Sequence, residues 1–227
     1  HLARAMPTAQ VLVDERGAKH MIDPAKLIQH QEHFWGQQSL SVFGTPIGVP
    51  RDRVTPVVGP HRVDLGSGKR LTLLRTPGHA PHHLSVLIED AQLLIAGDAV
   101  GLRYPEFDMP IPVAPPPSFD ERQFLESLTR IMALKPHGLL LPHFGPKFEN
   151  VDDFLRSSVR TIRRWGSRIL EQVQTGEPLN AVFEFLISDI AETAGKRRNE
   201  VPDHIARMIM FSAMGYYSYA QGVLNKS

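Results

Sequence analysis

Three short apolar runs constrain this chain most, because each one leads within a few residues to a side chain that can bind a metal ion. Runs of this length, punctuated by proline and glycine, are typical of buried strands. Three strands can deliver their following side chains to one edge of a sheet, where imidazole and carboxylate groups suit zinc, iron or manganese. The pattern therefore predicts a divalent-metal site. The runs are residues 71–74, 93–96 and 139–141, and the side chains that follow them are His79, Asp98 and His143.

The composition excludes several classes of protein. Lysine and arginine total 25 against 24 aspartate and glutamate residues, so no charge excess indicates a nucleic-acid or acidic-membrane partner. No apolar run approaches the roughly 18 residues of a transmembrane helix. The chain has no cysteine, which excludes disulfides, thiolate ligands and a cysteine nucleophile within it. We expect a small-molecule substrate, no nucleic-acid or membrane partner, and a cytoplasmic location unless a segment ahead of His1 carries a signal peptide.

Periodicity divides the chain into two parts. Hairpin patterns lie at residues 62–74 and 84–96, where apolar strands flank short polar turns. Beyond residue 149 the period becomes helical, and the last helix is apolar almost all round. Such a helix is buried against its own domain or against a partner. We predict an α+β domain over residues 1–149 and a C-terminal helical region over residues 150–227.

A proline-rich segment separates the hairpins from the first long helix. Residues 101–118 contain six prolines, which predicts a stiff, extended segment without regular structure. Two interpretations stay open: the segment lines a substrate cleft, with Arg103 and Tyr104 first in line, or it is a connector across the sheet edge. Ser118 and Glu121 have the spacing of a capping box, which predicts that the next helix begins after Ser118.

The motifs resemble those of a known family. Thr-Pro-Gly-His at residues 76–79, Gly-Asp at 97–98 and Pro-His-Phe-Gly at 142–145 are similar, in order and spacing, to the second half of the metallo-β-lactamase-fold hydrolases. The resemblance extends from about residue 11 to residue 145 and is strongest to glyoxalase-II-like bacterial hydrolases. It implies the second half of a four-layer αββα sandwich, followed here by a C-terminal helical extension.

The resemblance also implies a reaction and its residues. In the family, the position of His79 completes a three-histidine site, that of Asp98 bridges two metals as the catalytic carboxylate, and that of His143 completes the second site. The complete protein would hold two divalent ions, zinc in the first place, with iron or manganese as alternatives. A metal-activated hydroxide would attack an ester, thioester or similar carbonyl. His83 is expected to support a ligand through a hydrogen bond, and His20 to lie beside the cleft.

One departure from the family is the absence of the His-x-His-x-Asp-His signature, which supplies ligands to both metals. In the family that signature precedes a helix resembling residues 1–6, so we expect an upstream segment that ends in it. Strands before the signature build most of one sheet of the sandwich. Without them apolar strands would face water, and we do not expect the 227 residues alone to fold as a stable two-metal enzyme.

Two alternative functions remain open at this point. One is a mono-iron oxygenase of the same fold, similar to a persulfide dioxygenase. The other is a non-catalytic fragment that acts by association through its C-terminal helices. Those helices, with their methionine and tyrosine content, could also form a homodimer.

Overall fold

A computed structural model describes residues 2–35, 41 and 44–226. The chain forms two compact units, residues 1–61 and residues 62–227. None of the helices in these described ranges is both long and apolar enough to cross a membrane.

The first unit is a small α/β arrangement. Two parallel strands, β1 (Val11–Asp14) and β2 (Val54–Val57), pair from Val11 with Val54 to Asp14 with Val57. The described part of this unit includes the helices α1 (Leu2–Ala5), α2 (Glu15–Ile22) and α3 (Ala25–Trp35). Asp14 ends β1 and caps α2, because its carboxylate accepts the backbone N–H of Arg16 at 2.9 Å. The strand therefore turns directly into the helix that carries His20.

The second unit is built on a five-stranded sheet. In their spatial order its strands are β3 (His61–Gly66), β4 (Lys69–Arg75), β5 (Leu84–Ile88), β6 (Leu93–Ile95) and β9 (Gly138–Leu140). The two predicted hairpins form the first four of these strands. β5 is antiparallel to both β4 and β6, whereas β9 is parallel to β6.

The proline-rich segment contains regular structure, contrary to the prediction for residues 101–118. β7 (Leu102–Tyr104) and β8 (Phe107–Ile111) form an antiparallel ribbon. Pro110 lies in β8, opposite Arg103 and next to a register shift. In a two-stranded ribbon each strand has one unpaired edge, so a residue without an N–H is tolerated there. The number of prolines alone could not reveal that this segment forms a paired ribbon.

The helix after the ribbon begins two residues later than predicted. α4 (Glu121–Leu134) is capped by Asp120, whose carboxylate accepts the N–H of Gln123 at 2.9 Å and its side-chain amide at 2.7 Å. The backbone N–H of Ser118 instead donates to the carbonyl of Pro115, so Ser118 belongs to the preceding turn. The predicted capping box of Ser118 and Glu121 is therefore wrong, because the side chain of Asp120 caps the helix instead.

Three long helices complete the second unit: α5 (Val151–Gln174), α6 (Leu179–Thr193) and α7 (Asp203–Leu224). One apolar core contains strand residues such as Leu94 and Leu139 together with Trp165 of α5 and Ile209 of α7. The predicted α+β class with a C-terminal helical part is confirmed. The domain boundary after residue 149 stays a prediction, and the core contains residues from both sides of it.

Glu121, at the start of α4, makes the stability of this unit depend on pH. Its carboxylate lies against Gly166 of α5. Burial, with the Asp120 carboxylate nearby, raises the pKa of Glu121 from an ordinary 4.5 to about 7. Because this pKa is raised in the folded state, the folded protein holds an extra proton between about pH 4.5 and 7. The associated stability is present at low pH and is lost as the pH rises through 7.

We expect Glu121→Gln to remove this dependence. Between pH 5 and pH 8 the wild-type free energy of unfolding should fall relative to that of Glu121→Gln, as measured by urea denaturation at each pH. Glu126→Gln is the matched control, since Glu126 lies on the same helix, is exposed and pairs with Arg122. The free energy of unfolding of Glu126→Gln should depend on pH as that of the wild type does. The same pH dependence in all three proteins would contradict the raised pKa of Glu121.

Candidate metal centre

The sheet brings the three predicted site positions to one edge. β4 and β6 run in the same direction because each is antiparallel to β5, and β9 runs parallel to β6. The carboxyl ends of all three strands therefore lie at the same edge. The loops that leave these ends carry His79, Asp98 and His143. Sheet topology thus explains why separate apolar runs lead to one region of the surface.

His79 has a defined tautomer. Its Nδ1 lies 3.0 Å from the carbonyl oxygen of Val113. A carbonyl can only accept a hydrogen bond, so Nδ1 carries the proton and donates it. In the neutral imidazole the other nitrogen, Nε2, then presents a lone pair. This is the arrangement in which a histidine that binds a metal is usually held, its second nitrogen donating to a backbone carbonyl.

The lone pair of His79 faces the carboxylate of Asp98. Nε2 lies 3.5 Å from Oδ2 of Asp98, and the two side chains are 19% and 26% exposed. With neutral His79, two electron-rich atoms oppose each other with no proton between them, so a cation would be stabilised there. Two ligands bound to one tetrahedral zinc ion at 2.0–2.2 Å lie roughly 3.4 Å apart. The observed separation and the donor types therefore fit a divalent metal.

His83 fixes the loop that carries Asp98. The backbone N–H of Asp98 donates to Nε2 of His83 at 3.1 Å. Nδ1 of His83 must then carry the proton of the neutral ring, and it donates to the hydroxyl of Thr76 at 2.8 Å. The series continues from Thr76 to Ser85 at 2.8 Å and from Ser85 to the carbonyl of Ala96 at 2.9 Å.

This network requires a neutral His83, and its surroundings keep it neutral. Burial in the first place, and the neighbouring His79 in the second, together lower the pKa of His83 from 6.5 to about 4. The two rings stand edge to face, with their centroids 5.8 Å apart. His83 is therefore a hydrogen-bonding support beside the pair formed by His79 and Asp98.

Gly97 allows His83 to approach Asp98. Its φ is +55°, and a Cβ at this position would collide with Nε2 of His83. We expect Gly97→Ala to displace the His83 ring and to lower the free energy of unfolding by more than the about 1–2 kcal/mol of left-handed strain alone. Gly176→Ala is the matched control, because Gly176 has φ +82° with no atom within 4 Å of its Cβ position. Chemical denaturation measures the free energy of unfolding of both variants. An equal decrease in the two would contradict the contact between position 97 and His83.

His143 lies on the same edge but is exposed, and its ring is 6.1 Å from that of Phe144. Phe144 in turn contacts Tyr104, with ring centroids 4.6 Å apart. Within the described ranges, no three His, Cys, Asp or Glu side chains form a group that could hold a metal ion. The structure thus brings His79 and Asp98 together without grouping His143 with them. Three-residue convergence stays a prediction.

The remaining predicted residues lie in different environments. Tyr104 ends β7 and is buried, and burial raises the pKa of its hydroxyl. Arg103 is half-buried in the same strand. His20 is half-buried on α2 of the first unit. Their roles beside a substrate stay predictions.

Several residues that position the site were not identified from the sequence. The carbonyl of Val113 lies 34 residues from His79, and no local pattern marks it. Thr76 and Gly97 belong to the same motifs as His79 and Asp98, so their closeness in sequence to these residues could have identified them as part of the site. Ser85 lies at one of the buried positions of β5, where buried and half-buried residues alternate. This alternation was a weaker signal than the motifs.

Comparison with known proteins identifies the family. Residues 8–143 match the metallo-beta-lactamase superfamily, and the chain belongs to this superfamily. A curated relative, the metallo-beta-lactamase fold-containing protein ST1585 from Sulfurisphaera tokodaii, is 34% identical over 140 residues. This match covers 60% of the present chain and 51% of the relative. The chain therefore spans about half the length of that protein.

Solved structures agree with this assignment. The crystal structure of ST1585 from Sulfolobus tokodaii has a TM-score of 0.59 at 29% identity, covering 72% of this chain and 60% of that one. The metallo-beta-lactamase family protein TTHA1429 from Thermus thermophilus has a TM-score of 0.59 at 21% identity, covering 95% and 67% respectively. The latter likeness supports the fold alone. The predicted metallo-β-lactamase fold is thereby confirmed.

Proposed function

We propose that this protein is a metal-dependent hydrolase of the glyoxalase-II-like kind, acting on an ester, thioester or similar carbonyl of a small molecule. The observation that supports this most is the pair formed by Nε2 of His79 and the carboxylate of Asp98, 3.5 Å apart. A proton or a metal ion would stabilise such a pair, and superfamily membership favours the metal.

His79 and Asp98 would hold the ion, with His143 as the candidate further ligand from the same sheet edge. Zinc is the expected metal, with iron or manganese as alternatives, and the complete site would hold two ions. When bound, a divalent ion supplies Lewis-acid polarisation of a carbonyl oxygen and lowers the pKa of water towards about 7.

The chain's own residues would contribute orientation and charge. The hydrogen bond from Nδ1 of His79 to Val113 keeps the Nε2 lone pair pointed at Asp98. His83 accepts the backbone N–H of Asp98, which fixes the position of the backbone that carries this carboxylate. Asp98 provides the carboxylate oxygen that faces this lone pair, and a carboxylate is a favourable ligand for a cation.

The test is hydrolysis by the complete purified protein loaded with Zn²⁺. Substrates are p-nitrophenyl acetate and an acylglutathione thioester, followed by absorbance. We expect zinc-dependent turnover of at least one, and a loss of at least about 100-fold on His79→Ala, as is typical when a required metal-site group is removed. His137→Ala is the matched control, because His137 precedes β9 at the opposite end from His143.

Other outcomes would identify the competing functions. Oxygen consumption by an iron-loaded chain that does not hydrolyse either substrate would favour the mono-iron oxygenase. Failure of the chain to retain zinc, iron or manganese after dialysis, with self-association through the C-terminal helices, would favour a non-catalytic role. Equal activity of wild type and His79→Ala would exclude His79 from the reaction.

A further inference from the structure

The described part of the second unit contains four serines that are completely buried: Ser85, Ser127, Ser158 and Ser212. A buried serine on a helix commonly donates to the carbonyl one turn earlier on its own helix. In each of these four, the hydroxyl instead donates to a backbone carbonyl on another element. These carbonyls belong to the three segments that position His79 and Asp98, and we call these segments the site loops: residues 76–83, 96–101 and 112–115.

Two of the serines act on the loops that carry His79 and Asp98 themselves. Ser127 of α4 donates to the carbonyl of Pro77 at 2.6 Å, two residues before His79. Ser158 of α5 donates to the carbonyl of Val100 at 3.0 Å, two residues after Asp98. These bonds span 50 and 58 residues of sequence.

Ser212 of α7 holds the third site loop from both sides. Its hydroxyl donates to the carbonyl of Pro112 at 2.9 Å and accepts the N–H of Ala114 at 3.3 Å. Between them lies Val113, whose carbonyl accepts the proton of His79 Nδ1. Gly215, one turn further along α7, lies so close to the Ala114 carbonyl that any Cβ would collide with it.

We propose that Ser127, Ser158 and Ser212 are positioning residues, each from a different helix, that fix the site loops so that His79 and Asp98 face each other. This proposal rests on the proposed metal site. A buried carbonyl that loses its donor must find another partner, and in a loop it does so by moving. The α7 helix thereby contributes to the orientation of His79 although it carries no ligand.

The first test uses the metal-free full chain, so it does not depend on metal binding. Nuclear magnetic resonance of ¹⁵N-labelled protein measures exchange with water of the His79 Nδ1 proton. We expect Ser212→Ala to accelerate this exchange by about 10-fold, as loss of one hydrogen-bond constraint allows. Ser212→Cys, which fills a similar space with a weaker donor, provides the same measurement if the alanine variant does not fold.

Thr161→Val is the matched control. Thr161 is also a buried hydroxyl residue on α5, and within the described ranges it makes no hydrogen bond to a site loop. Valine keeps the shape of threonine, so this variant should remove a buried hydroxyl while leaving the exchange of the His79 proton unchanged. If the Ser212 variants and Thr161→Val have the same exchange rate, the serines only pack the core and the proposal is wrong.

The second test measures Zn²⁺ affinity by isothermal titration. Ser127→Ala, Ser158→Ala and Ser212→Ala should each weaken binding by about 10-fold, within the range for groups that orient a metal ligand. In a His79→Ala background the Ser212→Ala change should have no further effect, because it acts through His79. If the parent chain does not bind zinc, the proposed function fails, and the metal-free exchange rate still decides the positioning role. A full additional loss in the double variant would contradict positioning through His79.

Discussion

Replacing Asp98 with alanine is expected to weaken Zn²⁺ binding by at least about 100-fold, the upper end of the effect of losing only a supporting group. Asp98 supplies the only carboxylate that the structure places within 3.5 Å of His79 Nε2 in the described part of the chain. Without it, the cation would lose the carboxylate ligand that faces the His79 lone pair. The measurement is titration with Zn²⁺ followed by elemental analysis after dialysis.

Asp90→Ala is the matched control for this change. Asp90 is exposed in the turn before β6, at the opposite end of the strand that leads to Asp98. It should leave zinc affinity unchanged. Asp98→Asn keeps the shape and removes the charge, so it should behave like Asp98→Ala. Full zinc content in either Asp98 variant would show that this carboxylate is not a ligand.

Replacing Trp165 with alanine is expected to lower the free energy of unfolding by about 3–5 kcal/mol. Trp165 of α5 is completely buried, packs edge to face on Tyr216 of α7 and donates from Nε1 to Asp189 of α6 at 2.8 Å. The substitution removes a large apolar side chain where the three helices meet. Urea denaturation followed by circular dichroism measures the loss.

Arg164→Ala separates the packing from the polar contact. Arg164 is about half exposed and donates to the same oxygen of Asp189 at 2.7 Å. Because the arginine end of this ion pair is close to half exposed, the pair should contribute no more than about 1 kcal/mol. A loss for Arg164→Ala as large as that for Trp165→Ala would mean that the Asp189 contacts, rather than burial of the indole, hold the helices together.

The sequence predicted those parts of the site that depend on local pattern. Apolar runs that stop at proline, glycine or aspartate identified β4, β6 and β9, because burial and turn chemistry act on neighbouring residues. The sequence analysis also predicted that the side chains after these strands reach one edge of the sheet, and in the structure the strands run in the same direction. Recognition of the motifs identified the family, which residues 8–143 confirm.

The sequence could not predict features that depend on contacts between distant residues. The tautomer of His79 depends on Val113, and the site loops depend on serines 50 to 100 residues away. The strand around Pro110 was missed because a strand tolerates proline where its N–H would lie on an unpaired edge, and only the folded ribbon creates that edge. The cap at Asp120 was missed because the backbone N–H of Ser118 donates to the carbonyl of Pro115, which places Ser118 in the turn before the helix.

The central claim is that Nε2 of His79 and the carboxylate of Asp98 bind the same metal ion. Anomalous diffraction at the zinc edge, from crystals of the complete protein grown with Zn²⁺, tests it most directly. We expect an anomalous peak at about 2.0–2.2 Å from both His79 Nε2 and an Asp98 carboxylate oxygen. Zinc bound elsewhere, with His79 and Asp98 still facing each other without it, would show that these two residues are not the ligands.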